Sequence, residues 1–371
     1  MGSCRLKKFL PLALVFAVSL AGAVWTDETT SKNSVRLERA LKRFPNADAN
    51  GDGILTLEEA REYRKRVQVE RRARQRPDAP LIAGAVKHAD LRYGPHARNV
   101  LDLYLPKDAA KPMPLVVFIH GGGFIDGDKG NVSPIILNQC LRRGAAVAAI
   151  NYRFITTDPF PASLHDAARA VQYLRHNAAK HQIDPKRFAA FGGSAGGGTS
   201  LWLALHDDLA DPSSDDPVAR ASSRLVCAGA IAGQTTYDPR ELKEWLGDIV
   251  LQHRSVLPLY GAKDLDELLQ PTPDRAKLFQ ECSPIHHVSA DDPPLILFYR
   301  GETTPDVGGA IHSKVFGERL KAALDAVGVL IVLRADMDKT DDAAVAKELV
   351  AFLAKHLGVA ATPRKPAPKR E

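Results

Sequence analysis

Two hydrophobic periodicities divide the chain. Near its start Val35, Leu37, Leu41 and Phe44 recur at helical spacing, and a second, charged helix is predicted over about 57–76. Pro77 and Pro80 then open a linker over 77–87. From about His88 the pattern changes to short apolar runs, rich in Val, Ile and Phe, alternating with longer helical stretches. Strands are predicted at 100–105, 114–120, 145–152, 187–191, 225–231, 294–299 and 330–334, and helices at 161–181, 195–206, 313–327 and 341–356. Strands separated by crossover helices predict an α/β domain over 88–358, with a mostly parallel central sheet flanked by helices. Within it, residues 207–292 hold one predicted strand and then polar, Pro-containing sequence with Trp245, Leu257, Leu259 and Tyr260. This segment is expected to be an insertion over the rim of the sheet.

The N-terminus changes the picture of where the chain works. Arg5, Lys7 and Lys8 precede an apolar run from Phe9 to Leu20, and Ala21-Gly22-Ala23 supplies the small-x-small pattern of a cleavage site. A signal peptide over 1–23 is expected, the alternative being an uncleaved anchor. Export follows, secreted or periplasmic, with no membrane span after cleavage. At the other end, residues 359–371 carry three prolines and four basic residues, which predicts a tail without a packed core. With 45% hydrophobic and 25% charged residues, the 371-residue chain is ordinary for a globular protein. Its net charge of +6 sits partly in local runs, so no nucleic-acid partner is expected. One run, from Arg61 to Arg76, has eight Lys or Arg. It is read as a solvated helix face or, functionally, as a contact for an acidic surface. Of four cysteines Cys4 would leave with the signal peptide, and Cys140, Cys227 and Cys282 read as small buried apolar residues.

Two motifs carry reactive chemistry. Gly192-Gly193-Ser194-Ala195-Gly196 contains Gly-x-Ser-x-Gly between a predicted strand and a predicted helix. That is the setting of a nucleophile elbow, where a strained serine needs small neighbours. His120-Gly121-Gly122-Gly123-Phe124 directly follows the strand at 114–120. Its glycines allow backbone N–H groups to turn inward, so Gly122 and Gly123, with the N–H of Ala195, are the candidate oxyanion donors.

These motifs, with Asn151-Tyr152-Arg153, Phe160-Pro161 and Asp184-Pro185-Lys186-Arg187, resemble the α/β-hydrolase superfamily. The nearest group is the esterases that include hormone-sensitive-lipase-like and feruloyl- or acetyl-xylan-esterase-like proteins. The resemblance implies hydrolysis of carboxylic esters through an acyl-enzyme, without a catalytic cofactor. It implies short acyl or feruloyl esters as substrates, small or linked to polysaccharide. It also implies an acid after the strand at 294–299 and a histidine after the last strand. Here the pattern departs. Thr304 stands at the acid position, with Asp306 two residues on as the candidate. Residues 335–342 contain no histidine, and the candidate base is His312, ahead of the helix at 313–327. His286 and His287 could line a pocket, His356 lies far into the final helix, and His120 belongs to the oxyanion loop. Two readings follow: an ester hydrolase with a rebuilt triad, or a catalytically impaired hydrolase-fold binding protein.

A third motif precedes the domain, in the helical segment 24–76. Asp48-x-Asn50-x-Asp52-Gly53 followed by Glu59 matches the EF-hand loop at each constrained place. Asp48, Asn50 and Asp52 would offer side-chain oxygens, Ile54 its carbonyl, and Glu59 two oxygens to a calcium ion. A lone loop of this kind suits a structural or docking role.

Overall fold

The computed structural model describes residues 30–63, 81–106, 112–300, 306–337 and 342–359. The expected signal peptide, most of the basic run from Arg61 to Arg76, Thr304 and the tail 360–371 lie outside these residues. Two compact units emerge, Met1–Gln75 and Arg76–Glu371. Among the described residues no helix is long and apolar enough to cross a membrane.

The smaller unit is a helix, a loop and a second helical stretch. Helix α1 spans Val35–Arg43, with Ser34 as its N-cap accepting the Leu37 N–H. Residues 57–63 are helical again. Leu37, Ala47 and Leu55 form a small core, closed by Leu41, Leu57 and Tyr63. The amphipathic spacing of the first helix thus buries one stripe against the loop.

The larger unit is built on eight strands: β1 (Ala85–Arg92), β2 (Val100–Pro106), β3 (Met113–Ile119), β4 (Ala146–Ile150), β5 (Ile183–Gly193), β6 (Cys227–Ile231), β7 (Leu295–Arg300) and β8 (Ile331–Met337). Their order in the sheet is β1-β2-β4-β3-β5-β6-β7-β8. Strand β2 runs antiparallel to both β1 and β4, and every later pairing is parallel. Strands β3 and β4 are buried throughout, which is why their sequences are continuous apolar runs rather than alternations.

The pleat sends alternate side chains to two cores. Leu115, Val117 and Ile119 join a cluster with Leu164, Leu201 and Phe316, while Val116 and Phe118 join another with Leu137, Leu349 and Leu353. The first face is therefore covered by α3 (Ala162–His176), α4 (Ala195–Leu205) and α10 (Val315–Ala326). The second is covered by α2 (Pro134–Arg142) and α11 (Asp342–His356). Full burial of each such Leu, Ile or Phe contributes roughly 1.5–3 kcal/mol.

Three features differ from expectation. The stretch assigned to a linker at 77–87 already contains the start of β1. This edge strand is exposed at Val86–Asp90, so it lacks the apolar signature of the others. Helix α2 was not predicted, although Ser133-Pro134 is a good helix start ahead of Ile136, Leu137 and Leu141. The insertion at 207–292 is ordered: after β6 it holds α5 (Pro239–Leu246), α6 (Val256–Leu259), α7 (Asp266–Leu269) and α8 (Pro273–Cys282). One short helix, α9 (Val307–Ile311), follows β7. The three cysteines of the domain are buried and unpaired.

Candidate active site

The parallel strands end together, and the loops that leave their C-terminal ends converge, the usual place for a site in an open α/β sheet. Ser194 is the hinge between β5 and α4. Its backbone sits at φ 52°, ψ −125°, a conformation that costs a non-glycine residue of order 1–3 kcal/mol. The turn is pinned by the Ser194 N–H, which donates to the Ile231 carbonyl at 2.8 Å. It also requires close approach: a Cβ on Gly196 would collide with the Ile119 carbonyl oxygen of β3.

The strained turn places Ser194 Oγ 2.9 Å from His312 Nε2. His312 caps the C-terminus of α9. Its Nδ1 lies 2.9 Å from the Gly308 carbonyl oxygen. A carbonyl can only accept, so Nδ1 carries the proton and Nε2 presents a lone pair to the serine hydroxyl. This is the tautomer a general base needs. Gln234, buried in the turn after β6, donates to the Ile311 carbonyl at 2.7 Å and so ties α9 to the sheet. Burial holds the His312 pKa below the usual imidazole value, and the Arg300 charge acts in the same sense. His312 is therefore neutral at neutral pH.

Asp306, the candidate acid, stands at the start of the same helix. Its carboxylate accepts the Gly309 N–H at 2.7 Å as the N-cap of α9. The group that orients His312 is instead the Gly308 carbonyl, one turn before it on the same helix. A backbone acceptor fixes tautomer and ring direction as a carboxylate does, but supplies no full charge to stabilise an imidazolium.

The glycine loop lies beside the serine. A Cβ on Gly121 would stand 3.5 Å from Ser194 Cβ. Gly122 and Gly123 both have positive φ, 114° and 62°. Among the described residues neither N–H is spent on a protein acceptor, whereas the Gly122 and Gly123 carbonyls receive the Ile125 N–H and the Ser255 hydroxyl. Ala195 begins α4, so its N–H has no partner within the helix. His120 is structural: its Nε2 faces Arg98, its Nδ1 faces the Gly121 carbonyl, and its ring stacks on Tyr152. Burial pushes its pKa down to about 4.

Sequence reasoning missed His253 and Ser255. Ser255 Oγ donates to the Gly123 carbonyl at 2.6 Å, and its N–H donates to His253 Nδ1 at 3.3 Å. The insertion thereby braces the glycine loop and sets His253 beside it, with Nε2–H free of that bond. The only available signal was a histidine within a rim insertion, which no motif marks. The other histidines are engaged elsewhere: His286 pairs with Glu241, and His287 faces the Glu281 carbonyl. His356 is in α11, its ring tilted against that of Phe352.

In the smaller unit the loop expected to bind calcium turns through Gly51 and Gly53, both at positive φ. Asp48 accepts the Gly51 and Gly53 amides, Asn50 that of Asp52, and Asp52 that of Ile54. Glu59 folds back onto Ala49 N–H and Thr56 N–H. The loop thus carries side-chain oxygens of Asp48, Asn50, Asp52 and Glu59, each accepting backbone amides within the turn, and oxygen donors of this kind suit a hard cation. The carboxylates of Asp48, Asp52 and Glu59 are still not all within 4.8 Å of one another. Leu55 pairs with Ser31 through two hydrogen bonds, beside a Thr30–Thr56 bridge.

The model of the BD-FAE family matches residues 101–320, more than half of the chain. The chain belongs to the BD-FAE family. Among curated relatives of this BD-FAE chain, a probable isoprenylcysteine alpha-carbonyl methylesterase, ICMEL1, of Arabidopsis thaliana is 28% identical, over 62% of this chain and 46% of its own length. A probable carboxylic ester hydrolase, LipM, of Mycobacterium tuberculosis is 28% identical over 57% and 46%. The chain thus spans about half the length of these relatives. Among solved structures, a carbohydrate esterase from gut microbiota superposes with a TM-score of 0.60 at 20% identity, covering 75% of this chain and 99% of that one. An esterase from Thermogutta terrifontis gives 0.55 at 22%, covering 79% and 97%. At these identities the structures establish the fold, which is that of the α/β-hydrolases.

Proposed function

We propose that this BD-FAE chain is a serine carboxylic-ester hydrolase acting through an acyl-enzyme. The observation that carries the reading is the 2.9 Å approach of Ser194 Oγ to a His312 Nε2 whose tautomer is preset by the Gly308 carbonyl. In the first half-reaction Ser194 Oγ attacks the acyl carbon while His312 takes its proton. The amides of Gly122, Gly123 and Ala195 receive the developing oxyanion, each worth about 3 kcal/mol in the transition state. His312 then returns the proton to the leaving alkoxide, and the alcohol departs. In the second half-reaction His312 deprotonates a water that attacks the acyl group, and Ser194 is released with that proton.

Short acyl or feruloyl esters, small or carried on polysaccharide, are the proposed substrates. The sequence resemblance to feruloyl- and acetyl-xylan-esterase-like proteins, the likeness to a carbohydrate esterase and the expected export of the chain support this choice. Calcium is the proposed ligand of the EF-hand loop, held by Asp48, Asn50, Asp52, Ile54 and Glu59. There it would supply cross-linking charge neutralisation, outside the chemical steps. Since the strand position at Leu55 is taken by Ser31 of the same chain, the loop is proposed to serve structure within its own unit. The run from Arg61 to Arg76 is proposed as a contact for an acidic surface.

One observation favours a second reading: His312 takes its orienting bond from a backbone carbonyl, without a carboxylate's charge. A catalytically impaired hydrolase-fold binding protein would look the same. Hydrolysis of p-nitrophenyl acetate and methyl ferulate by the mature protein decides between them, with Ser194→Ala and His312→Ala as controls. Turnover lost in both variants is the result expected of the hydrolase. Turnover equal to the Ser194→Ala background on both substrates would overturn it in favour of the binding protein. For calcium, titration of the wild type against Glu59→Gln should show binding weakened at least tenfold in the variant, and equal affinity would refute the loop assignment.

A further inference from the structure

At its far end from Ser194, helix α4 is followed by His206, and two other segments meet it there. Glu281 comes from α8 and His287 from the short 3-10 turn Pro284–His287. One ligand atom from each of the three lies within 4.8 Å of the others, the one such convergence of His, Cys, Asp and Glu among the described residues. An eleven-residue helix separates this cluster from the serine by about 16 Å.

Both imidazoles are prepared in the same way. His206 Nδ1 lies 2.8 Å from the Asp207 carbonyl oxygen, and His287 Nε2 lies 2.8 Å from the Glu281 carbonyl oxygen. Carbonyls only accept, so each of these nitrogens carries its ring proton, and the opposite nitrogen of each ring is left with a lone pair. The lone pair of His206 Nε2 faces Glu281 Oε1 at 2.9 Å. Two electron-rich atoms at that distance need a cation between them, either a proton or a metal ion. The rings are held in place: their centroids are 4.5 Å apart, and Trp202 packs on His206 at 4.4 Å. Trp202 Nε1 donates to the same Glu281 carbonyl at 2.8 Å. Imidazoles fixed through their second nitrogen by backbone carbonyls are the usual outer shell of a metal site.

We propose that His206, Glu281 and His287 bind a zinc ion. Two neutral imidazoles and one carboxylate are a donor set that favours zinc over calcium or magnesium. Three protein ligands leave a fourth position for water. Tetrahedral bonds of about 2.1 Å put ligand atoms roughly 3.4 Å apart, so His206 Nε2 and Glu281 Oε1, now 2.9 Å apart, would part slightly around the ion, and the His287 donor, within 4.8 Å of both, would move to a similar spacing. The ion would staple the rim insertion to the helix that starts at Ser194.

The untagged full chain, stripped with chelator and dialysed, is titrated with zinc in millimolar calcium, which keeps the EF-hand loop occupied. One zinc per chain is expected, with affinity reduced more than about 100-fold in His206→Gln and in Glu281→Gln. Far-UV circular dichroism and metal-free unfolding midpoints establish that the variants fold. Cobalt(II) in the wild-type protein provides a readout free of any variant, since a four-coordinate nitrogen and oxygen site gives intense visible ligand-field bands. Zinc bound equally by wild type and both variants would overturn the proposal. So would the absence of bound zinc and of cobalt bands in the folded wild type, leaving the His206–Glu281 contact a plain ion pair.

Discussion

Replacing Asp306 by Asn separates the two roles this residue could play. In a hydrolase whose histidine is oriented by a carboxylate, the amide imposes the wrong tautomer and kcat falls by about 10⁴, or about 5.5 kcal/mol of barrier. Here the Asp306 carboxylate accepts the Gly309 N–H at 2.7 Å and caps α9, while His312 Nδ1 donates to the Gly308 carbonyl. Asn caps a helix about as well as Asp, within a few tenths of a kcal/mol. Asp306→Asn should therefore keep kcat/KM within about threefold of wild type. Asp306→Ala removes the cap, worth about 1 kcal/mol. If that is spent wholly on displacing the Gly308 carbonyl, kcat falls about fivefold. The assay is initial-rate hydrolysis of p-nitrophenyl acetate by all three proteins at one pH, with circular dichroism to establish folding. A loss near 10⁴ in the Asn variant would refute the backbone-oriented histidine and restore Asp306 as the acid.

Three further outcomes follow from the same geometry. Burial lowers the His312 pKa. The active form is the neutral one, so activity is full above that pKa and lost as pH falls through it. The acid limb of kcat/KM should have its midpoint below about 6.5, and a midpoint at 7 or above would contradict the burial argument. Gly123→Ala puts a Cβ at φ 62° and 2.7 Å from Ser255 Oγ, so kcat should fall about 10²–10³-fold as the oxyanion loop shifts; rates within twofold of wild type would remove Gly123 from the oxyanion site. For His120, buried and pushed to about 4, the unfolded chain binds the extra proton between about 6.5 and about 4. Stability is full above 6.5 and falls through that window by about 3 kcal/mol, and urea unfolding of His120→Gln should lack that part of the slope.

What was legible in the sequence follows from what burial writes into it. Strands β3 and β4 lie in the middle of the sheet, so Met113–Ile119 and Ala146–Ile150 are apolar at every position and announce themselves. Strand β1 lies at the edge with Val86–Asp90 exposed, so no apolar run marks it, and its first residues, 85–87, read as linker. The helices of the insertion are four to ten residues long, too short for helical periodicity to declare them. The serine and glycine motifs were legible because strained turns and close backbone approach admit few residues. His312 could be named as the candidate base from its place after β7.

The orienting partner of that base could not be named, for a reason that extends to the second cluster as well. The Gly308 carbonyl is a backbone group, and every residue owns one, so no letter marks it. Asp306 stands out as the candidate acid because carboxylates are visible in a sequence and carbonyls are not. In the structure the nearby carboxylate works one step removed: it caps the helix, the helix aims the carbonyl, and the carbonyl sets the tautomer. His206 and His287 follow the same logic, each fixed by a main-chain oxygen, with Glu281 reaching His206 across 75 residues of chain. A histidine's chemistry is chosen by its second nitrogen, and in this protein all three of these second nitrogens are held by backbone. Missing letters in a triad are therefore weak evidence against activity, because the fold can supply the missing acceptor from groups the sequence does not distinguish.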